Sequence, residues 1–439
     1  ILVHHNMNTN IDNNLKNEID KTISLFKQKK FNEALSLSNR LIKKEENIPF
    51  LLNLNGLINL SLEEWSNAVL AFQKALKCDV NYVEAYNNLG VAYSHLGDQD
   101  KAIKNYTKAI QIKKDYSNAY NNLASLYDDY GKYNDAVKNY INALEFNPEH
   151  FNAQNNLIHL INFFDPKNSK HNPIIKANNE IKNIEIGVSI KNDISNEILF
   201  KYLSKCNQIL KNNVKNLSFF DSQIHRRNGY DLNCERHHKV FNKYNIIPEY
   251  CFSCFKVQIE LQNVTQLFKL FFIFDQITLP NDNIRKCFIE LRQGISGTYK
   301  GLIYCSSIED AENVCKITKP FIEKLIKINF EIKIKRGCTE FDLSFPGYKD
   351  VSNLNKVNYD KKWKTKEELI DEEIFSGSKK GKKFFSRSLS GVRLGDILIM
   401  NNWLNYAKLI NDLTYKDITD EIFFSEYIFQ AVKRRNTQN

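Results

Sequence analysis

The sequence predicts an α-helical solenoid of stacked helix pairs, followed by an α+β domain and terminal helices. Two observations lead there. The segment Ala85, Tyr86, Asn87, Asn88, Leu89, Gly90 returns 34 residues later as Ala119, Tyr120, Asn121, Asn122, Leu123, Ala124. The match runs on through Tyr93 and Tyr127, Gly97 and Gly131, Ala102 and Ala136, Tyr106 and Tyr140, and Ala109 and Ala143. A fixed period of this length marks units that bury their apolar faces only against their neighbours. Beyond Pro248 the apolar spacing changes to strict alternation, the mark of half-buried strands, interrupted by two helical stretches.

The polar, Asn-rich residues 1–14 are expected to be disordered. A worn first unit runs from about Leu15 to Ile48, and a second from Pro49 to Tyr82 keeps Gly56, Ala68, Phe72 and Ala75. The two well-matched units follow over Val83–His150. A fifth opens at Phe151 and departs near Asp165 and Pro166, so the solenoid is placed at 15–164. Tyr86, Leu89 and Tyr93 fall on one stripe of a first helix. Ala102, Tyr106 and Ala109 form the stripe of a second, with Gly90 where the two helices cross. Gly97 and Gly131 fit the left-handed residue that ends a helix, and Pro148 fits a stop after the second one.

This pattern resembles the tetratricopeptide repeat family over roughly Leu15–Phe164, with Lys114 standing where the family usually has proline. The resemblance implies a superhelix whose concave groove, lined by the first helices, binds peptides or protein segments. Asn88, Asn122 and Asn156 recur at the sixth position of their units, with Asn87 and Asn121 beside them. Their register is similar to the asparagine ladder of O-linked N-acetylglucosamine transferases, which grips a peptide backbone. An amide side chain offers a donor and an acceptor to each peptide unit. The simpler alternative is a chain in which Asn is merely common. The tandem nucleotide-sugar domains of those transferases have no room in the remaining chain.

Residues 165–247 read as a linker with capping helices at Pro173–Lys182 and Ile194–Leu210, ending in a segment rich in Cys and His. Over 248–346, strands at Phe255–Leu261, Cys287–Leu291, Tyr299–Cys305 and Phe330–Ile334 alternate with helices at Val264–Phe274 and Ile308–Lys327. That β-α-β-β-α-β order is the ferredoxin-like signature. In 347–439, Lys379–Arg393 is basic, contains Gly and Ser but no acid, and reads as a flexible linker or lid. Helices are expected at Ile397–Leu413 and Ile418–Arg434.

The chain's 439 residues suffice for two or three domains, and 42% apolar with 26% charged residues is ordinary for a globular protein. Asn, Lys and Ile abound, which fits AT-rich codons, and the net charge of +10 is diffuse, so it says little about polyanion partners. No run of 18 apolar residues appears, which argues against a membrane span. Nine cysteines, an odd count, without a secretory signal indicate a reducing, cytoplasmic setting. Position 1 is not Met, leaving Met7 as a candidate start or the sequence as a fragment.

Chemistry is suggested at three places. Cys234 with His237, then Cys251 with Cys254, are two ligand pairs at x2 spacing that could close a tetrahedral zinc site, with His238 competing for His237. The alternative is buried free thiols acting as small hydrophobes. A mixed sheet face carries Lys286, Glu290, Arg292, Lys300 and Tyr304, with Lys335 and Arg336 as further cations, and could hold an anionic substrate. The same face lacks the stacking aromatics of RNA-recognition domains, and its glutamates repel phosphate, so nucleic acid is disfavoured. Cys338, flanked by Lys335 and Arg336, could be a thiolate nucleophile, with His225 as a conceivable base. No P-loop, dinucleotide fingerprint, HExxH or serine elbow occurs.

The sequence therefore predicts a scaffold or adaptor that captures an extended polypeptide segment in the repeat groove and carries a C-terminal effector or interaction domain. The alternatives are an enzyme that modifies a polypeptide delivered by the repeats, and a nucleic-acid-binding protein.

Overall fold

The computed structural model describes residues 13–167, 171–185, 187, 189–214, 217–229, 232, 234–327, 330–376 and 385–436. These divide into two compact units: the first runs to Asn156 and takes in residues 373–376, and the second holds Leu157–Glu372 and residues 385–436.

The first unit is built from helix pairs: α1 (Asn13–Lys27) with α2 (Phe31–Lys44), α3 (Pro49–Ser61) with α4 (Trp65–Cys78), α5 (Val83–His95) with α6 (Gln99–Ile112), and α7 (Ser117–Asp129) with α8 (Tyr133–Phe146). Helix α9 (Phe151–Ile161) opens the fifth repeat. Most of the expected N-terminal disorder lies outside the described residues, but Asn13 and Asn14 already belong to α1.

Small residues set the spacing within each pair. A Cβ at Gly90 would sit 2.6 Å from the Tyr106 ring, and one at Gly56 would sit 2.3 Å from Phe72. The glycine of the first helix is thus the socket for the aromatic of the second, as the repeat pattern implies. Ala102 and Ala109 flank that aromatic and are fully buried. Gly97 and Gly131 end α5 and α7 with φ of 76° and 72°, in the left-handed region that glycine adopts without steric cost. At the equivalent turns of earlier repeats Lys29 and Glu63 hold φ of 61° and 62°, so the worn units keep the turn without the glycine.

A histidine immediately precedes the fifth repeat. His150 Nδ1 accepts from the Ala153 backbone N–H at 3.2 Å, and Nε2 lies 2.9 Å from Asn118 Oδ1. A backbone N–H can only donate, so Nδ1 is unprotonated and Nε2 carries the hydrogen given to Asn118. Burial holds the ring's pKa below the ordinary 6.5. With the folded value depressed, the stabilisation is complete above pH 6.5 and is lost as pH falls through the folded pKa. The melting temperature of the helical repeats should therefore fall on acidification from that point. His150→Asn, which keeps an N-cap acceptor without the titration, should flatten that fall in a circular-dichroism series. An identical slope in the variant would contradict this assignment.

The second unit opens with α10 (Pro173–Lys182) and α11 (Asn196–Asn213), each N-capped by the residue before it: Asn172 accepts from Ile174 and Ile175, and Ser195 from Ile198. A six-stranded sheet follows: β1 (Gln223–Gly229), β2 (Phe255–Leu261), β3 (Arg285–Ile289), β4 (Tyr299–Cys305), β5 (Phe330–Arg336) and β6 (Phe385–Leu389), in the order β5-β2-β4-β3-β1-β6. Every pairing is antiparallel. Helix α12 (Cys234–Tyr244) follows β1, α13 (Val264–Gln276) links β2 to β3, α14 (Ile308–Leu325) links β4 to β5, and α15 (Lys364–Ser376) precedes β6. Helix α16 (Leu394–Leu409), buried along nearly its whole length, and α17 (Glu426–Asn436) complete the chain.

Helix α13 carries the apolar run Leu267–Phe274 and packs on β3 and β4. Gly301 on β4 permits this contact, since a Cβ there would lie 2.5 Å from Leu270. Phe268 meets Trp403 of α16 edge to face, with centroids 5.8 Å apart.

Three sequence expectations need correction. Strand β1 was not anticipated, because its inward-facing position is taken by Arg226, 4% exposed, in place of an apolar residue. Of the stretch 379–393, expected to be flexible linker or lid, residues 385–389 form edge strand β6 and 390–393 are loop; 379–384 lie outside the described residues. Only a 3₁₀ turn and loop cover 413–425, so the last helix starts at Glu426 and not at Ile418.

Arg226 joins β1, α13 and α16. Its guanidinium bonds both oxygens of Asp396, at 3.1 and 2.8 Å, and meets Asp275 at 2.8 Å. It lies over the Phe271 ring and donates to the carbonyls of His225 and Gly391. Both carboxylates also accept from backbone: Asp275 from Gly391 and Asp396 from Arg393.

Candidate functional site

In the first unit, α3, α5 and α7 pack on one another in succession, and their asparagines meet across the repeats. Asn156 Nδ2 donates to Asn121 Oδ1 at 3.2 Å, Asn122 to Asn87 at 2.9 Å, and Asn88 to Asn53 at 3.0 Å. Within a repeat, Asn121 donates to Asn122 and Asn87 to Asn88, both at 3.3 Å. The result is a one-directional amide relay: Asn156, Asn121, Asn122, Asn87, Asn88, Asn53.

The two members of each pair do different jobs. Asn87 and Asn121 are each 6% exposed and sit inside the relay, whereas Asn88, Asn122 and Asn156 are half-buried. Each amide has two N–H donors and two lone pairs. After the relay is made, Asn88 and Asn122 each keep one donor and one acceptor site, in a plane fixed on both sides. Asn53 was missed in the sequence because, although it holds the same place in its unit as Asn87 and Asn121, Leu54 stands at the sixth position where the later units carry asparagine.

In the second unit the structure gathers the Cys/His segment around a residue the spacing did not include. The Cys234 side chain neighbours Cys338 and His237, and Cys338 neighbours Cys251; all three cysteines are free thiols. Cys251 stands in the 3₁₀ turn Glu249–Phe252, the turn after Pro248 that the x2 pair requires. Cys254 packs its sulfur against Gly337, where a Cβ would come within 2.4 Å, and burial pushes its thiol up to about 11. His237 is buried and stacks on Tyr250. Among the described residues, the three groups whose ligand atoms lie within 4.8 Å of one another are His238, Cys338 and Glu340. Cys234, His237, Cys251 and Cys254 do not form such a group by themselves.

Cys338 does not have the environment of a thiolate nucleophile. The bond from Cys234 draws its pKa down, but the bond to Cys251 and burial outweigh that and leave it above the ordinary thiol value. The imidazole beside it is that of His238; the charged neighbours of His225 are Lys286 and Arg226.

The sheet face is partly self-neutralised. Glu290, 1% exposed, holds Arg292 through two bonds of 2.8 Å and Lys300 at 3.2 Å. Lys286 donates to Gln223 at 2.7 Å and lies 6.0 Å from the Tyr304 ring centroid. Lys335 shares this face, opposite Lys256. Arg336 does not: it lies among the rings of Phe252, Phe255 and Tyr348 and donates to the Phe252 carbonyl.

The tetratricopeptide repeat family model matches residues 83–116 and 117–150, and a second model described as TPR repeat matches 56–97. Residues 56–150 are tetratricopeptide repeats. The tetratricopeptide segment begins within the second unit of the sequence pattern, and the worn first repeat, α1 with α2, precedes it. No curated protein matches the chain. Similar solved structures include MamA from Desulfovibrio magneticus RS-1, 19% identical, covering 34% of this chain and 84% of that one, with a TM-score of 0.31. A thermophilic tetratricopeptide repeat protein of Thermus thermophilus is 16% identical, with coverage of 46% and 93% and a TM-score of 0.32. The first such domain of Spaghetti (RPAP3), bound to an HSP90 peptide, is 22% identical, with coverage of 26% and 90% and a TM-score of 0.25. Among the described residues, no helix is long and apolar enough to cross a membrane.

Proposed function

We propose that the protein is a scaffold or adaptor that holds an extended polypeptide segment along its tetratricopeptide repeats, with the second unit as an interaction or effector module. The amide relay is the observation that carries this reading. It immobilises Asn88, Asn122 and Asn156 at the repeat spacing, leaves hydrogen-bonding capacity on half-buried groups, and so lowers the ordering cost of binding. Peptide units are the natural complement, because each presents one donor and one acceptor. For the second unit we read β2-α13-β3-β4-α14-β5, with spatial order β5-β2-β4-β3, as a ferredoxin-like core extended by β1 and β6 on the β3 edge.

The test is selection of peptides from a random display library on the full chain, followed by calorimetry with the triple variant Asn88→Ala, Asn122→Ala, Asn156→Ala. Three lost hydrogen bonds at ~1 kcal/mol each predict roughly a hundredfold weaker binding. Binding is compared at a temperature where circular dichroism shows the variant folded. Undiminished affinity would remove the groove reading.

A further inference from the structure

We propose a zinc site in the second unit formed by Cys234, His238, Cys338 and Glu340, a set that differs from the one suggested by spacing along the chain. Three of the four ligand atoms, from His238, Cys338 and Glu340, already lie within 4.8 Å of one another. Zn–N of about 2.0 Å and Zn–S of about 2.3 Å place tetrahedral ligands roughly 3.3–3.8 Å apart, so a small contraction encloses the ion. Cys234, one helical turn before His238 on α12 and a neighbour of Cys338, supplies the fourth ligand. Two soft thiolates, one imidazole and one carboxylate fit zinc better than the oxygen-seeking magnesium or calcium.

The backbone is arranged to hold these groups. Cys234 and His238 are one helical turn apart on α12, so they share a face. Cys338 and Glu340 sit where β5 runs into the 3₁₀ turn Thr339–Leu343. That junction is fixed by Gly337 N–H donating to the Cys254 carbonyl at 2.8 Å and by Lys256 Nζ donating to the Gly337 carbonyl at 2.6 Å. Cys338 and Phe341 are packed with Ile247, Cys251 and Tyr348, which restricts the loop further. His238 Nε2 and Glu340 Oε1 face each other at 3.1 Å and are 38% and 50% exposed, which gives an ion a way in.

On binding, the two thiols give up their protons to solvent, and the imidazole binds in its neutral form. Cys254 stays outside the site, because its sulfur is occupied against Gly337. Cys251 remains as a thiol neighbour of Cys338. The ion would tie α12 to the end of β5, two elements separated along the chain by the whole of the β2–β4 region.

The test is titration of the full chain, reduced and metal-free, with Co²⁺ and with Zn²⁺. One equivalent of Co²⁺ should give the visible bands of a tetrahedral site and a near-ultraviolet thiolate charge-transfer band, both displaced by Zn²⁺. Cys234→Ser should remove about half of the charge-transfer intensity, as expected for one of two thiolates. Glu340→Gln, an exposed change that leaves the fold intact, should weaken binding at least about tenfold while Cys254→Ser leaves it unchanged. Absence of a tetrahedral spectrum overturns the site. So does loss of binding in Cys254→Ser with retention in Glu340→Gln.

Discussion

Arg226→Ala should cost the second unit about 3–5 kcal/mol, because it leaves Asp275 and Asp396 as buried carboxylates without their cation. Arg226 is fully enclosed and is the point where β1, α13 and α16 meet. Urea unfolding followed by tryptophan fluorescence reports on this directly, since Trp403 lies in the same core and bonds the Ser222 carbonyl at 2.9 Å. The loss belongs to the uncompensated charges more than to the pair itself. Adding Asp275→Asn and Asp396→Asn to Arg226→Met should therefore recover more than half of it. A single variant within about 0.5 kcal/mol of the parent would show that water already reaches the site.

Gly90→Val should destabilise the tetratricopeptide repeats by about 3 kcal/mol, since its Cβ alone would come within 2.6 Å of Tyr106. Tyr106 has little room to move aside, because it and the flanking Ala102 and Ala109 are all buried. Combining it with Tyr106→Leu should recover about 1–2 kcal/mol relative to the sum of the single changes, the coupling expected of residues in direct contact. Thermal unfolding followed at a helix signal measures both. Strict additivity would mean that Gly90 is not the socket for Tyr106.

These two sites mark the limits of what the sequence disclosed. Gly90 and Tyr106 were legible because the repeat prints the same pair elsewhere, as Gly56 with Phe72, and because apolar periodicity reports packing directly. Arg226 was not, because a strand that buries an ion shows no apolar alternation. Edge strand β6 lies in a basic stretch and carries serine at two of its five positions, so its composition reads as linker. The asparagine register was visible, but not that the amides bond to each other, since that requires knowing how α3, α5 and α7 stack. In the Cys/His segment the x2 spacing put His237 first with His238 as its competitor, and a helix over Cys234–Tyr244 sets His238 one turn from Cys234. Cys338 and Glu340 join only through the fold, by the return of β5 beside β2, and only local context could be read for them.

A ladder of Asn88, Asn122 and Asn156 that reads the backbone of an extended polypeptide makes a demand on the ligand as well as on the protein. A peptide selected on the full chain should lose at least about tenfold in affinity when two of its bound amides are N-methylated, since each methyl removes a donor worth ~1 kcal/mol. The same methylation should cost the triple Asn→Ala variant almost nothing, which is the signature of coupled groups in a double-mutant cycle. An equal loss in both proteins, or no loss in either, would contradict backbone recognition by the ladder.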